Sequence, residues 1–447
     1  MSAVATDADL PLVLLIVSHS YVPNAEVGTL RIARLCRFLP EFGIRPVILT
    51  ATEKHYQDLD DSYPPLPGIR VERIGMLPTP MDLYRHISLR VRPRDRDAGP
   101  RSTEQPGASN APGFLRRHGR ALMEIPDPYW GWYLPATRAA RQLMEVEPVA
   151  AVFSSVPPYT AHLVARSLRK RNPVPWLADF RDPWTHNLRS QAFPGWRRWI
   201  DEQLETSCLR WADRIICNTE RLRATFSRFH PELPAHKLVT LTNGFDDSLI
   251  APTSPEVPCE RRLFLHLGSL YGGRRIDTFC QALKMLVNQG RLDPAKFRVL
   301  FVGDSDLSLV GKAKDSAPDL LAKGCIEFRA RVSWRVADQI RWNADLLLLF
   351  SIDPLAVPAK FYEYLPTGKP ILAVTPQGAL TDMIEKTGSG VWVGPDDPAE
   401  IASRLLEALA KPAVPHEQAL RLWSGDFHFR SLAGKLADWV KDLVARK

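Results

Sequence analysis

The sequence predicts an α/β protein made of two successive Rossmann-like, doubly wound parallel-sheet domains. Three observations predict it. Short apolar runs alternate with helical patterns along the first half, the rhythm of a parallel sheet wrapped by helices. A segment rich in proline and charge, Ala251–Arg262, interrupts that rhythm, which then restarts. The 447 residues exceed one ordinary core and fit two domains of ordinary size.

The elements follow in order. In the first half, Leu12–Ser18, Arg45–Thr50, Ala150–Ser154, Trp176–Asp179, Arg214–Cys217 and Leu238–Leu241 are short apolar runs that read as strands. Gly28–Leu39, Ala136–Glu145, Thr160–Arg171 and Trp196–Trp211 carry the helical period between them. The second half repeats the pattern with strands at Leu263–Leu267, Arg298–Val302, Ile326–Phe328, Leu346–Phe350 and Ile371–Val374. Its helices are expected near Ile276–Asn288, Ser333–Arg341, Pro358–Leu365, Leu380–Lys386 and Pro398–Leu409. Pro358 at a helix start and Gly368 just past its end are the expected punctuation. A last helix, Leu432–Val444, carries a core-facing stripe of Leu432, Leu436, Trp439, Val440 and Leu443. The expected domains are residues 1–245 and 246–425, with a terminal helical segment over 426–447. A ligand cleft is expected between the two domains, at the carboxyl ends of their strands.

Hydrophobic content of 45% with 24% charged residues describes a globular chain, and no apolar run approaches the roughly 20 residues of a membrane span. Leu10–Val17 is too short for one, lacks a basic flank and follows Asp7 and Asp9. It is expected to be a buried first strand rather than a signal peptide. Six scattered cysteines without a C-x-x-C pair argue against a zinc site or disulfide framework and for a reducing cytoplasm. The net charge of +8 suits a nucleic acid, an anionic membrane face or a phosphorylated substrate. No nucleic-acid motif of the usual kinds is present, so the last two lead.

One region breaks the pattern, an insertion at about residues 81–124. Arg94–Pro112 is polar and rich in Gly and Pro, which predicts a flexible loop. Its flanks are basic, with Arg85, His86, Arg90, Arg92 and Arg94 before it and Arg116, Arg117, His118 and Arg120 after it. Interleaved Leu and Ile residues allow amphipathic helices lying on an anionic bilayer; a solvated basic surface is the plainer alternative.

Chemistry is most legible at Val357–Ala373. Lys360 lies in the first turn of the helix after Pro358, and Glu363 follows one turn later on the same side. A cation for a phosphate beside a carboxylate for sugar hydroxyls suggests a nucleotide-sugar site. The alternative is a surface helix with a solvated ion pair. Asp-x-Asp pairs at Asp7–Asp9, Asp58–Asp60, Asp95–Asp97 and Asp304–Asp306 are numerous enough to arise by chance, and no metal or other cofactor is expected.

Four segments together resemble family 4 of the retaining glycosyltransferases. They are Ser20–Thr50, Ser154–Trp184, Leu241–Asp247 and Ala359–Leu372. The string FRDPW within the second resembles a bacterial subgroup that builds cell-surface polysaccharides. The resemblance implies two Rossmann-like domains facing a central cleft, the GT-B type, with the final helix returning to the first domain. It implies transfer of a sugar, with retention, from a nucleotide-diphosphate sugar to a glycan or lipid-linked acceptor hydroxyl. An epimerase on the same scaffold and a non-catalytic binding subunit are the alternatives.

The resemblance also assigns residues. Gly28 would let a donor approach the loop after the first strand, which also holds Arg31, a candidate for acceptor contact or loop support. Asp182 would touch the transferring sugar or accept the acceptor's proton; Asp179 and Arg181 would support the loop or pair with each other. In the second domain the family places two cations five positions apart against the diphosphate. Here Ser269 and Arg274 stand at those positions, with Arg275 adjacent and Lys360 as the replacement cation. Gly272 and Gly273 let that loop fold close to phosphate oxygens. Glu363 matches the glutamate that holds the ribose, while Leu355 stands where the family has another glutamate. Arg329 and Arg331 lie where the nucleobase would be. His162 reads as a packed or surface histidine. The expected place of action is cytoplasmic, with attachment to the inner membrane face through the basic flanks and no nucleic-acid partner.

Overall fold

The computed structural model describes residues 10–24, 26–56, 59–60, 66–80, 82, 114–247 and 261–446. Among them the chain divides into two compact units. The first runs to Asn243 and resumes at Phe429; the second spans Gly244–His428. The loop Arg94–Pro112, the basic flank Arg85–Arg94, the linker Ala251–Arg262 up to residue 260, and the aspartate pairs before residue 100 lie outside the described residues, except Asp60. The side chains of Arg116, Arg117 and Arg120 do too.

The first unit holds seven strands: β1 Leu12–Val17, β2 Ile44–Ala51, β3 Arg70–Ile74, β4 Val149–Val156, β5 Trp176–Phe180, β6 Arg214–Cys217 and β7 Leu238–Thr240. Its helices are α1 Val27–Phe38, α2 Phe114–Met123, α3 Tyr133–Val146, α4 Thr160–Arg171, α5 Leu188–Gln191, α6 Gly195–Trp211 and α7 Glu220–Phe229. All strand pairs are parallel, in the order β3-β2-β1-β4-β5-β6-β7. Alternation along β1 divides the core into two layers. Val13, Leu15 and Val17 pack on one face with Trp132, Ala161 and Leu209 from the helices there. Leu14 and Ile16 pack on the other with Ile32 and Leu35 of α1.

The second unit repeats this plan with six parallel strands: β8 Arg262–Leu267, β9 Phe297–Val302, β10 Ile326–Arg329, β11 Leu346–Phe350, β12 Ile371–Val374 and β13 Gly390–Val393. Their order is β10-β9-β8-β11-β12-β13. The helices are α8 Ile276–Asn288, α9 Leu307–Ser316, α10 Pro318–Ala322, α11 Trp334–Trp342, α12 Ala359–Tyr364, α13 Ala379–Thr387, α14 Pro398–Ala410 and α15 His416–Phe427. A final helix, α16 Phe429–Ala445, belongs to the first unit. Its Leu432, Leu436 and Val440 are buried in the same layer as α1, each contributing about 1.5–3 kcal/mol. No helix among the described residues is long and apolar enough to cross a membrane.

Two strands escape the sequence reading, β3 and β13. Both are edge strands. Edge strands need no continuous apolar run, and β3 reads RVERI with no buried residue. Helices α7 and α9 were likewise not expected. Each starts at a side-chain cap: Thr219 accepts from Leu222 N, and Asp306 accepts from Ser308 N. Asp306, one of the paired aspartates, is thus a helix cap.

In both sheets the chain first winds outward on one side and then returns to the other. The reversal falls between β1 and β4 in the first unit and between β8 and β11 in the second. An open parallel sheet binds its ligand at such a switch point, beyond the carboxyl ends of the strands.

Candidate functional site

At the β8/β11 end, the loop after β8 turns on three glycines with positive φ: Gly268 (132°), Gly272 (35°) and Gly273 (71°). The loop is pinned to the neighbouring loop after β9. Leu270 N donates to Asp304 O at 2.9 Å, and Asp306 N donates to Leu270 O at 2.8 Å. A Cβ on Gly303 would lie 2.4 Å from Gly268 O, so only glycine allows this approach.

That turn delivers Arg274 to the end of β11. Its Nε donates to Phe350 O at 3.0 Å and its Nη1 to Tyr271 O at 2.7 Å, with the guanidinium 4.0 Å above the Tyr271 ring. Neither bond uses Nη2, so the group is fixed in place with one nitrogen uncommitted by them. Lys360 comes from the first turn of α12, and its Cε lies 3.7 Å from where a Cβ on Gly268 would be. His266 flanks the same point, its Nε2 at 3.9 Å. Burial lowers His266 to about 4, with Arg274 and Lys360 adding to the effect against a backbone bond to Leu348. Arg274 thus stands at the end of β11 and Lys360 beside Gly268 at the end of β8.

Helix α12 runs six residues before tightening into a 3-10 turn that ends at Gly368, φ 65°. Glu363 is buried and lies 3.4 Å from Lys360 Nζ and 3.9 Å from Arg341 Nη1. The solvated-pair alternative does not hold, because the Glu363 side chain is only 6% exposed. Ser269 sits in the loop with its N held close to Gly303. Leu355 N donates to Asp353 Oδ1 at 2.8 Å in a local turn.

Two residues assigned from the sequence are not brought to this cluster. Arg275 is held by Asp277 at 3.1 Å and Asp396 at 2.8 Å. Arg329 pairs with Glu327 on an exposed surface.

The β1/β4 end is built differently. A Cβ on Gly28 would fall 1.0 Å from Arg181 Nη1. The approach that the sequence assigned to a ligand is thus taken by a guanidinium of the same chain. Arg181 crosses from the end of β5, donating through Nε to Val156 O at 3.0 Å and through Nη2 to Pro157 O. Asp179 does not pair with it. Asp179 instead accepts from Arg31 Nη2 at 2.8 Å, Arg31 Nε at 3.1 Å and Ser155 Oγ at 2.7 Å. Arg31 also donates to Thr242 O, Leu241 O and Asn243 Oδ1, so α1, β5 and the loop after β7 meet on one buried arginine. Its role is internal support, not acceptor contact.

Asp182 follows Arg181 on the same loop and is half-buried. The loop is anchored from behind by Glu205 of α6, which accepts from Trp184 N at 2.9 Å, Thr185 N at 3.2 Å and the Thr185 hydroxyl. His162 is a packed histidine. Its Nδ1 meets Ser154 Oγ at 2.8 Å, and burial holds it well below its ordinary value. Sequence reading missed His19 at the end of β1, buried 4.2 Å from the Tyr129 ring and lowered to about 3 by burial and by His55. It also missed His266, although that is the one polar side chain inside an apolar strand.

Two family models match the chain. Residues 28–244 match "Glycosyl transferase 4-like domain" and residues 261–411 match "Glycosyl transferases group 1". No curated protein matches in sequence. Among solved structures, sucrose-phosphate synthase of Thermosynechococcus elongatus is similar at 15% identity over 98% of this chain and 100% of that one, TM-score 0.64. HepE of Anabaena, in complex with UDP and glucose, is similar at 15% identity over 96% and 99%, TM-score 0.60. WaaG, a glycosyltransferase involved in lipopolysaccharide biosynthesis, is similar at 16% identity over 96% and 99%, TM-score 0.58. At these identities the likeness shows the fold alone, two Rossmann-like parallel-sheet domains of the GT-B type.

Proposed function

From the premise that this chain is built of two glycosyltransferase domains in tandem, we propose that it moves a sugar, with retention, from a nucleotide-diphosphate sugar to an acceptor hydroxyl in cell-surface polysaccharide synthesis. The observation that carries the donor half is the convergence of Arg274 and Lys360 at the β8/β11 switch point. Breaking the sugar–phosphate bond leaves negative charge on the diphosphate. Cations fixed before the bond breaks stabilise that charge without reorganising. Arg274 is fixed by two carbonyls, and Lys360 by its place on α12. A guanidinium suits phosphate oxygens through its fork, an ammonium as a point charge. With this charge supplied by side chains, the proposed reaction uses no metal.

The HepE structure holding UDP and glucose supports a nucleotide-sugar donor, and WaaG supports a surface-glycan setting. Glu363 is the proposed contact to the ribose. Asp182 is the proposed contact to the transferring sugar or the acceptor's proton, held on a loop that Glu205 fastens. The five described cysteines are free and buried, which supports a reducing cytoplasm. A net charge of +8 favours a lipid-linked acceptor at an anionic membrane face.

The test is a thermal-shift screen of nucleotide sugars, followed by turnover with the best donor. Release of nucleoside diphosphate only when a glycan or lipid-linked acceptor is present supports the transferase. Donor consumption without acceptor makes it an epimerase, and binding without turnover makes it a binding subunit. An inverted product anomer rejects retention.

A further inference from the structure

β8 is apolar from Leu263 to Leu267 except for His266, which is 4% exposed. Its ring takes no part in the diphosphate and ribose contacts proposed for Arg274, Lys360 and Glu363. Nδ1 lies 3.0 Å from Leu348 O. A carbonyl oxygen only accepts, so Nδ1 carries the proton and Nε2 presents a bare lone pair. The rings of Phe350 and Phe301, with centroids 5.4 and 6.1 Å away, hold the imidazole in this orientation. Nε2 is buried and has no hydrogen-bond partner among the described residues. It borders the same point above Gly268 as the Lys360 stem.

A buried acceptor with no donor costs about 1–3 kcal/mol. Protonation does not relieve it, because burial and two nearby cations keep the ring neutral. Phosphate oxygens do not relieve it either, since a lone pair repels them; they belong with Lys360 and Arg274. The missing partner is an O–H or N–H donor on a group adjoining the phosphates. A nucleotide sugar has hydroxyls on both sides of its diphosphate, on the ribose and on the hexosyl unit. Glu363 is already proposed for the ribose.

Resting on the nucleotide-sugar reading above, we infer that His266 Nε2 accepts a hydrogen bond from a hydroxyl of the donor's hexosyl unit. His266 is then a specificity-determining contact. It favours donors that carry a hydroxyl at that position and discriminates against those that lack it.

The experiment titrates the full chain calorimetrically with UDP-, GDP- and dTDP-hexoses and with the parent nucleoside diphosphates. His266→Asn keeps an amide N–H for Leu348 O and deletes Nε2; His266→Gln puts an amide oxygen near the Nε2 position. The expected result is an approximately tenfold weaker nucleotide sugar for His266→Asn, unchanged nucleoside diphosphate, and recovery of most of the loss in His266→Gln. Donors lacking one hydroxyl at a time should include one that costs wild type about tenfold and costs His266→Asn nothing. Equal weakening of nucleoside diphosphate and nucleotide sugar overturns the inference while leaving the donor site intact. So does no weakening at all. If wild type binds no member of either series, the proposed function falls and this inference with it. Should His266→Asn fail to fold, the deoxy series on wild type and His266→Gln decides, and uniform affinity across it overturns the inference.

Discussion

The two switch points share a topology and differ in what their arginines do. At the β1/β4 end, Arg181 lies on Gly28 and bonds Val156 O, and beneath it Arg31 and Asp179 close a buried pair. The cations there serve the protein itself. At the β8/β11 end, Arg274 bonds Phe350 O in the corresponding way, yet Lys360 is held only by Glu363 at 3.4 Å and His266 Nε2 has no partner among the described residues. A glycine-bearing loop after a first strand is therefore no proof of a phosphate site. What matters is whether the space it opens is already filled.

The largest effect expected on this contrast comes from Arg31→Met. It leaves Asp179 buried without its cation and should cost about 3–5 kcal/mol in urea unfolding. A loss below about 1 kcal/mol would mean that the first end is held together by something else. At the second end, Arg274→Ala and Lys360→Ala should each lower turnover by about 10²-fold or more, with weaker nucleoside diphosphate binding. Normal turnover in both variants removes the diphosphate assignment.

Gly28→Ala probes the first end directly. It should cost about 1–3 kcal/mol, because the new methyl overlaps the Arg181 guanidinium. In an Arg181→Ala background the same change should cost much less, a coupling that a double-mutant cycle reads directly. Additive losses would mean that Gly28 is needed for another reason.

The smallest effect is a pH dependence at the loop behind Arg181. Burial raises the Glu205 carboxyl from 4.5 to about 7, against hydrogen bonds from Thr185 and Trp184. The folded state thus holds this proton more tightly than the unfolded chain. The stability this contributes is full below about pH 4.5, declines as pH rises and is gone above about 7. Glu205→Gln should flatten that decline, which is on the order of 1–3 kcal/mol. Equal slopes in both proteins would show that Glu205 does not titrate in this range.

Much of the fold was legible because central parallel strands are buried on both faces and read as runs such as LVLLIV or LLLLF. The edge strand β3 was not, since RVERI looks like any polar segment. The positions of Arg274 and Lys360 were legible because one follows a strand end and Pro358 and Gly368 mark the helix that carries the other. The Arg181–Gly28 contact was not, because it joins positions far apart in the chain and no local pattern encodes it. Arg275 shows the converse error. It adjoins Arg274 in sequence, but successive side chains leave the backbone in different directions, and Asp277 and Asp396 take it. His266 was legible in principle, as a lone polar residue in an apolar strand.

The most direct measurement is a crystal structure of the full chain with a nucleoside diphosphate. Phosphate oxygens are expected within hydrogen-bond reach of Arg274 and Lys360, beyond the carboxyl ends of β8 and β11. Phosphates seated beside Gly28 and Arg181, at the ends of β1 and β4, would contradict the diphosphate assignment.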